Sequence, residues 1–304
     1  MRSCKEPQVG EPNFMLIKTI HLCERYPGAT LTTYVSDNPP SLKSKKRKAI
    51  IVCPGGGYHT LSQRESEPIV KVFLSEGLNV FLLRYTVGMK GENYPENPGA
   101  SDYAPLIEAA LAIKHIRENA EEYNIDPEQI FIIGFSAGGH LAASTGILWK
   151  TDAVQKALGA SSENPTEIGK PNGMLLSYPV ITSGEFAPKG SFHHLCNTKE
   201  PTEEELLRFS LEKHVDETSA PLFLWHTFTD NAVPVQNSLL LANAYTEYKL
   251  PFEMHIFPEG SHGLSLATEE TMAGKPRMVV PHVQGWIELA VRWICDFGHF
   301  GPNV

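Results

Sequence analysis

Stretches of alternating and continuous hydrophobicity divide the chain into short strands and longer helices. Met15 to Leu22 and Thr30 to Val35 mix polar and β-branched residues, as strands at a sheet edge do. Lys48-Ala49-Ile50-Ile51-Val52-Cys53 carries a continuous apolar run, which predicts a strand buried on both faces. A helix is expected from Glu67 to Glu76, ended by Gly77, with the next strand at Asn79 to Tyr85. Asp102 suits the N-cap of a helix running through Asn119, where Leu106, Ala109, Ala110, Ile113 and Ile116 form one apolar stripe. Further strands are predicted at Phe131 to Phe135, Met174 to Tyr178, Leu222 to Phe228 and Phe252 to Phe257. The last helix carries Trp286, Ala290, Trp293 and Ile294 on one face.

Strands that alternate with helices imply an α/β domain: a mainly parallel sheet with helices on both faces. No internal repeat or low-complexity linker divides it, so 1–304 reads as one domain. Residues 179–219 have weaker periodicity and more Pro, Gly and charge. They read as a small lid insertion over the C-terminal edge of the sheet, where such folds place their sites.

Composition narrows the function. With 304 residues, 41% of them hydrophobic and 20% charged, the chain is globular. Its net charge of −9 argues against a nucleic-acid partner, which needs a basic face. The one basic run, Lys43-Ser44-Lys45-Lys46-Arg47-Lys48, reads as a solvated loop. Met1 to Pro7 holds no apolar leader core, and no later run reaches transmembrane length, so no membrane partner is expected. The five cysteines are scattered, without CxxC spacing, as in a reducing compartment. The expectation is a soluble cytoplasmic protein, with a homo-oligomer left open.

The chemistry concentrates at Gly134-Phe135-Ser136-Ala137-Gly138, which follows the apolar run from Phe131 and precedes a small, apolar helix. A strand-to-helix turn this tight projects Ser136 outward, and a Cβ at Gly134 or Gly138 would strike neighbouring backbone. A serine hydroxyl needs a base to take its proton, and in elbow-type sheets the order is Ser, then acid, then His. Asp230 follows the Leu222 strand and so sits at the correct end of the sheet. Asp216 precedes that strand and sits at the wrong end. Of the later histidines, His255 lies within a strand, His282 opens the last helix and His299 is in the tail. His262 lies in the loop Pro258-Glu259-Gly260-Ser261-His262-Gly263, after the last strand, where glycines let it turn back toward the serine. Amides for an oxyanion would come from Ala137 and from the turn Pro54-Gly55-Gly56-Gly57-Tyr58-His59. A phosphate-binding reading of that turn lacks the flanking residues of either glycine-rich phosphate motif. Tyr58 and Tyr85 are candidates for substrate contact or for packing. His193, His194 and Cys196 read as a surface cluster, with no metal site expected.

These residues resemble the α/β-hydrolase superfamily, and within it the acetyl-esterase branch often labelled xylanase-like or carbohydrate acetyl- and feruloyl-esterases. The likeness spans nearly the whole chain. Its carriers are Val52 to Tyr58, Gly134 to Ala142, Tyr178 to Thr182, Gly190-Ser191-Phe192, Trp225-His226-Thr227 with Asp230 and Val233-Pro234, and Phe257 to Leu264. By that resemblance Ser136, Asp230 and His262 take the triad roles, and Gly56, Gly57 and Ala137 donate to the oxyanion. Related esterases commonly carry His where this chain has Pro54, which leaves open how the turn is braced. The resemblance implies ester hydrolysis without a cofactor, on a small-molecule ester; the polar, aromatic segments around Tyr58, Tyr85 and 179–219 suit an acylated sugar as that ester, with Tyr58 the candidate substrate contact. A general carboxylesterase, an arylformamidase-like amide hydrolase and a non-catalytic binding protein on the same fold are the rival readings.

Overall fold

The computed structural model describes residues 15–36, 46–89 and 103–298. Eight strands form one sheet: β1 (Leu16–His21), β2 (Thr30–Val35), β3 (Arg47–Cys53), β4 (Asn79–Arg84), β5 (Ile125–Phe135), β6 (Gly173–Ser177), β7 (Leu222–Thr227) and β8 (Phe252–Phe257). Their spatial order is β1-β2-β4-β3-β5-β6-β7-β8. β2 pairs antiparallel with both neighbours, and every pairing from β4 to β8 is parallel. The helices are α1 (Glu67–Ser75), α2 (Ala104–Glu118), α3 (Ala137–Ile147), α4 (Asp152–Leu158), α5 (Lys189–Leu195), α6 (Glu203–Leu207), α7 (Gln236–Glu247), α8 (Pro281–Gln284) and α9 (Trp286–Asp296).

Alternate residues of the central strands feed two cores. Ala49, Ile51, Phe81, Ile132 and Met174 pack with Ile113 and Ile116 of α2, Leu141 and Ala142 of α3, and Tyr245 of α7. Ile50, Val52, Val80, Phe131 and Phe223 face the other way, against Ile69 and Phe73 of α1 and Trp286, Ala290 and Trp293 of α9. Burial on both faces is why these strands read as unbroken apolar runs. α3 is buried at every position because it lies between the sheet and α2, which explains its lack of a polar face.

Two boundaries differ from the sequence reading by more than two residues. β5 begins at Ile125 rather than after Asp126-Pro127, because its ladder with β3 passes a register break between Arg47 and Ala49. His282 lies in the separate turn α8, and the long final helix starts only at Trp286. Asp102, His299, Cys4 and the first part of the basic run lie outside the described residues. No helix among the described residues is long and apolar enough to cross a membrane.

Candidate active site

The C-terminal ends of β3, β5, β7 and β8 converge on Ser136. This residue joins β5 to α3 with φ 53° and ψ −117°, a conformation that costs a non-glycine residue energy and persists only where the surroundings impose it. They do so through backbone: Ser136 N–H donates to Ser177 O at 3.0 Å, and Val180 N–H donates to Ser136 O at 3.1 Å. A Cβ on Gly134 would lie 1.9 Å from Gly138 O, and one on Gly138 would lie 2.1 Å from Cys53 O. Both glycines are therefore steric requirements of the turn.

Ser136 Oγ lies 2.8 Å from His262 Nε2, and His262 Nδ1 lies 2.6 Å from Asp230 Oδ2. With Nδ1–H donating to the carboxylate, Nε2 is the acceptor for the serine hydroxyl. The other carboxylate oxygen of Asp230 accepts the N–H groups of Ala232 and Val233, each at 2.9 Å. Burial pushes the Asp230 pKa up, but hydrogen bonds from His226 and His262 outweigh it and hold the carboxyl well below the usual range. His226 is fully buried: its single Nε2–H is shared between Val233 O at 2.9 Å and Asp230 Oδ2 at 3.4 Å, and its Nδ1 accepts from Ser238 at 2.7 Å. It thus shapes the loop that aims Asp230. Asp216, the rejected alternative, instead pairs with Lys150 at 2.7 Å.

The glycine turn after β3 approaches the same serine. Gly56 (φ 130°) and Gly57 (φ 65°) adopt backbone that favours glycine, and a Cβ on Gly56 would lie 2.1 Å from Thr60 O. The Gly56 and Gly57 N–H groups donate to no acceptor among the described residues. Ala137 is the first residue of α3, where an N–H has no intrahelical acceptor. None of the three predicted amides donates to an acceptor among the described residues. Pro54 is braced without a histidine: Tyr85 OH donates to Pro54 O at 2.6 Å, and Gly55 N–H donates to Glu65 Oε2 at 2.9 Å.

Tyr58 corrects the expectation of a substrate contact. Its φ of 56° turns the ring inward, leaving it 1% exposed, and its hydroxyl donates to His140 Nδ1 at 2.9 Å. His140 Nε2–H in turn donates to Phe209 O at 2.9 Å. Burial lowers the His140 pKa to about 4, against the smaller upward effect of the Phe209 bond. Tyr58 is therefore a brace between the glycine turn, α3 and the 179–219 segment.

A cavity of about 330 Å³ opens on the serine, walled by Gly56, Gly57, Arg64, His262 and Val233, with Pro188 and Ser191 from the 179–219 segment. That segment thus forms one wall of the site. His194, from its α5, packs its ring 4.7 Å from that of His59. Among the described residues, no group of three or more His, Cys, Asp or Glu side chains is placed to hold a metal ion. Sequence reasoning did not single out Glu65, His140 or His226, whose roles depend on contacts between distant segments.

The strand order, the strained serine between β5 and α3, and a histidine and an aspartate delivered after β8 and β7 define an α/β-hydrolase fold. The chain belongs to the BD-FAE family, whose profile matches residues 38–245. It is similar to endo-1,4-beta-xylanase B of Butyrivibrio fibrisolvens, at 40% identity over 229 residues, 75% of this chain and 34% of that protein. Acetylxylan esterase of Xylanibacter ruminicola is 25% identical over 245 residues, 79% of this chain and 44% of that protein. The chain therefore spans less than half the length of these two curated relatives. Among solved structures, acetyl ester-xyloside bifunctional hydrolase from Caldicellulosiruptor lactoaceticus matches with TM-score 0.74 and 35% identity, over 93% of this chain and 97% of that one.

Proposed function

We propose that the chain is a serine esterase that removes short acyl groups, chiefly acetyl, from xylan-type carbohydrate. The observation that carries this reading is the continuous hydrogen-bonded line from Ser136 through His262 to Asp230, beside three free amides. Similarity to an acetylxylan esterase and to an acetyl ester-xyloside hydrolase supports the substrate class. The cavity, about 330 Å³, is at the small end for ligand sites and favours a short acyl group.

In this mechanism Ser136 Oγ attacks the ester carbonyl while His262 Nε2 takes its proton. Asp230 holds the imidazole in the Nδ1–H tautomer and stabilises its charged form. The carbonyl oxygen becomes an oxyanion bound by the Gly56, Gly57 and Ala137 amides, each donor contributing on the order of 3 kcal/mol to the transition state. His262 then protonates the leaving alcohol, and a water activated by the same base releases the acid. The scattered cysteines, without CxxC spacing, fit a reducing, cytoplasmic setting.

The test is hydrolysis of a 4-nitrophenyl series from acetate to octanoate, with acetate release from acetylated xylo-oligosaccharides followed in parallel. Activity greatest on acetate, release from the sugars, and loss of both in Ser136→Ala are expected. Preference for long chains with no action on the sugars would replace this reading with a general carboxylesterase. Undiminished turnover by Ser136→Ala would remove the serine mechanism.

A further inference from the structure

A buried carboxylate that takes no part in the proton-transfer line ties together the two loops on which that line and the oxyanion amides depend. Glu65 is 3% exposed. Its Oε2 accepts Gly55 N–H at 2.9 Å, and its Oε1 accepts the Tyr178 hydroxyl at 2.7 Å. That hydroxyl oxygen also accepts Ser265 N–H at 2.9 Å, three residues beyond His262. The neighbouring Arg64 closes the loop from its other side. Its guanidinium donates to Gly263 O at 2.7 Å and to Thr271 O at 3.0 Å, while Arg64 O accepts Ser265 Oγ–H at 2.6 Å. The ring of Tyr178 meets the His262 ring edge-on, with centroids 5.2 Å apart.

The same network holds strained backbone. Tyr178 (φ 40°) and Ser265 (φ 55°) both occupy left-handed conformations that non-glycine residues avoid. Each is fixed by a bond that leads back to Glu65 or Arg64, and Ser265 O additionally accepts Trp286 Nε1–H at 3.0 Å. Stored strain of this kind marks geometry that the surroundings impose.

The geometry points to Glu65 as a positioning residue for ester hydrolysis. Through Gly55 it sets the direction of the Gly56 and Gly57 amides, and through Tyr178 it sets the loop that presents His262. This rests on the serine-esterase reading above. Because Glu65 acts on the amides that meet the oxyanion, its loss should be felt in the transition state more than in the bound ester. Glutamine keeps the shape, but its amide nitrogen cannot accept: with its oxygen on Gly55 N–H, it can only donate to the Tyr178 oxygen, which already accepts Ser265 N–H, so the Tyr178 proton loses its acceptor and the link to Glu65 is weakened. Phenylalanine at 178 removes the link to the His262 loop and leaves the Gly55 bond in place.

The experiment compares wild type, Glu65→Gln, Tyr178→Phe and the double variant on 4-nitrophenyl acetate. Active sites are counted by labelling Ser136 with a fluorophosphonate, and affinity is measured for a boronic acid that forms a tetrahedral adduct on the serine. Per active site, Glu65→Gln should lower kcat by roughly ten- to hundredfold, below the loss from removing an oxyanion donor outright. KM should stay within about threefold, and boronate affinity should fall in step with kcat. Tyr178→Phe should cost less, and the double variant no more than Glu65→Gln alone. The inference is overturned if Glu65→Gln keeps wild-type kcat per labelled site, or if boronate affinity holds while kcat falls. If Glu65→Gln does not fold, Tyr178→Phe decides: a kcat loss at constant KM with weaker boronate binding upholds the inference, and unchanged values overturn it. Failure of the serine reading would show separately, as wild-type enzyme that resists labelling at Ser136 yet turns over ester.

Discussion

Glu108 offers a quantitative check on how the glycine turn is supported. It lies on α2, fully buried, and its two carboxyl oxygens meet Thr86 N–H at 2.7 Å and the Thr86 hydroxyl. Thr86 adjoins Tyr85, whose hydroxyl holds Pro54 O at the start of the glycine turn. Burial raises the Glu108 pKa from 4.5 to about 8, although the Thr86 bonds oppose the rise. The folded state therefore holds a proton that the unfolded chain has already released. The contribution is fully present below pH 4.5 and is lost as pH rises through about 8. At about 1.36 kcal/mol per pH unit, the interval from 4.5 to about 8 sets a ceiling of about 5 kcal/mol. Glutamine copies the protonated carboxyl, since its oxygen can accept from Thr86 N–H while its amide donates to the hydroxyl. Urea unfolding of wild type and Glu108→Gln at intervals from pH 5 to 9 measures the difference. The variant should gain roughly 2 to 5 kcal/mol relative to wild type across that range, with the gain flattening above pH 8. Parallel stability curves for the two proteins would refute the reasoning.

The opposite sign holds for His140. Its folded pKa of about 4 lies below the ordinary 6.5, so its contribution is present above pH 6.5 and is lost as pH falls through 4. An NMR titration should find its imidazole unchanged between pH 8 and pH 5.5, and a midpoint near 6.5 would contradict its place between Tyr58 and Phe209. Asp230→Asn should lower kcat by on the order of ten-thousandfold, because the amide no longer holds the Nδ1–H tautomer of His262; steady-state kinetics on an acetyl ester reads this. Gly138→Ala puts a Cβ 2.1 Å from Cys53 O and 2.5 Å from Pro54 O, so the turn must open. Thermal melting and kcat should both fall, with a stability loss of at least about 3 kcal/mol.

How much of this was readable in the chain depends on whether a residue's role is local. Gly134 and Gly138 announce the elbow because the clash that excludes a side chain arises within the turn and the strand beside it. The convergence of Asp230 and His262 on Ser136 was readable because each follows the end of a strand, and a parallel sheet brings those ends together. Tyr58 shows how adjacency misleads. It follows the three glycines, but a positive φ sends its ring into the core to meet a histidine 82 positions away. Glu65 sits between a serine and an arginine in an unremarkable polar stretch. Its partner Tyr178 is 113 residues distant, and Arg64 reaches Ser265 across 201. No periodicity or spacing encodes such a contact, because it exists only after β3, β6 and β8 have joined the same sheet. The groups proposed to react are thus specified by local geometry, whereas the groups that hold them in register are specified by the assembled sheet. A variant at Ser136 should remove the chemistry and spare the fold, while one at Glu65, His140 or His226 should move stability and rate together.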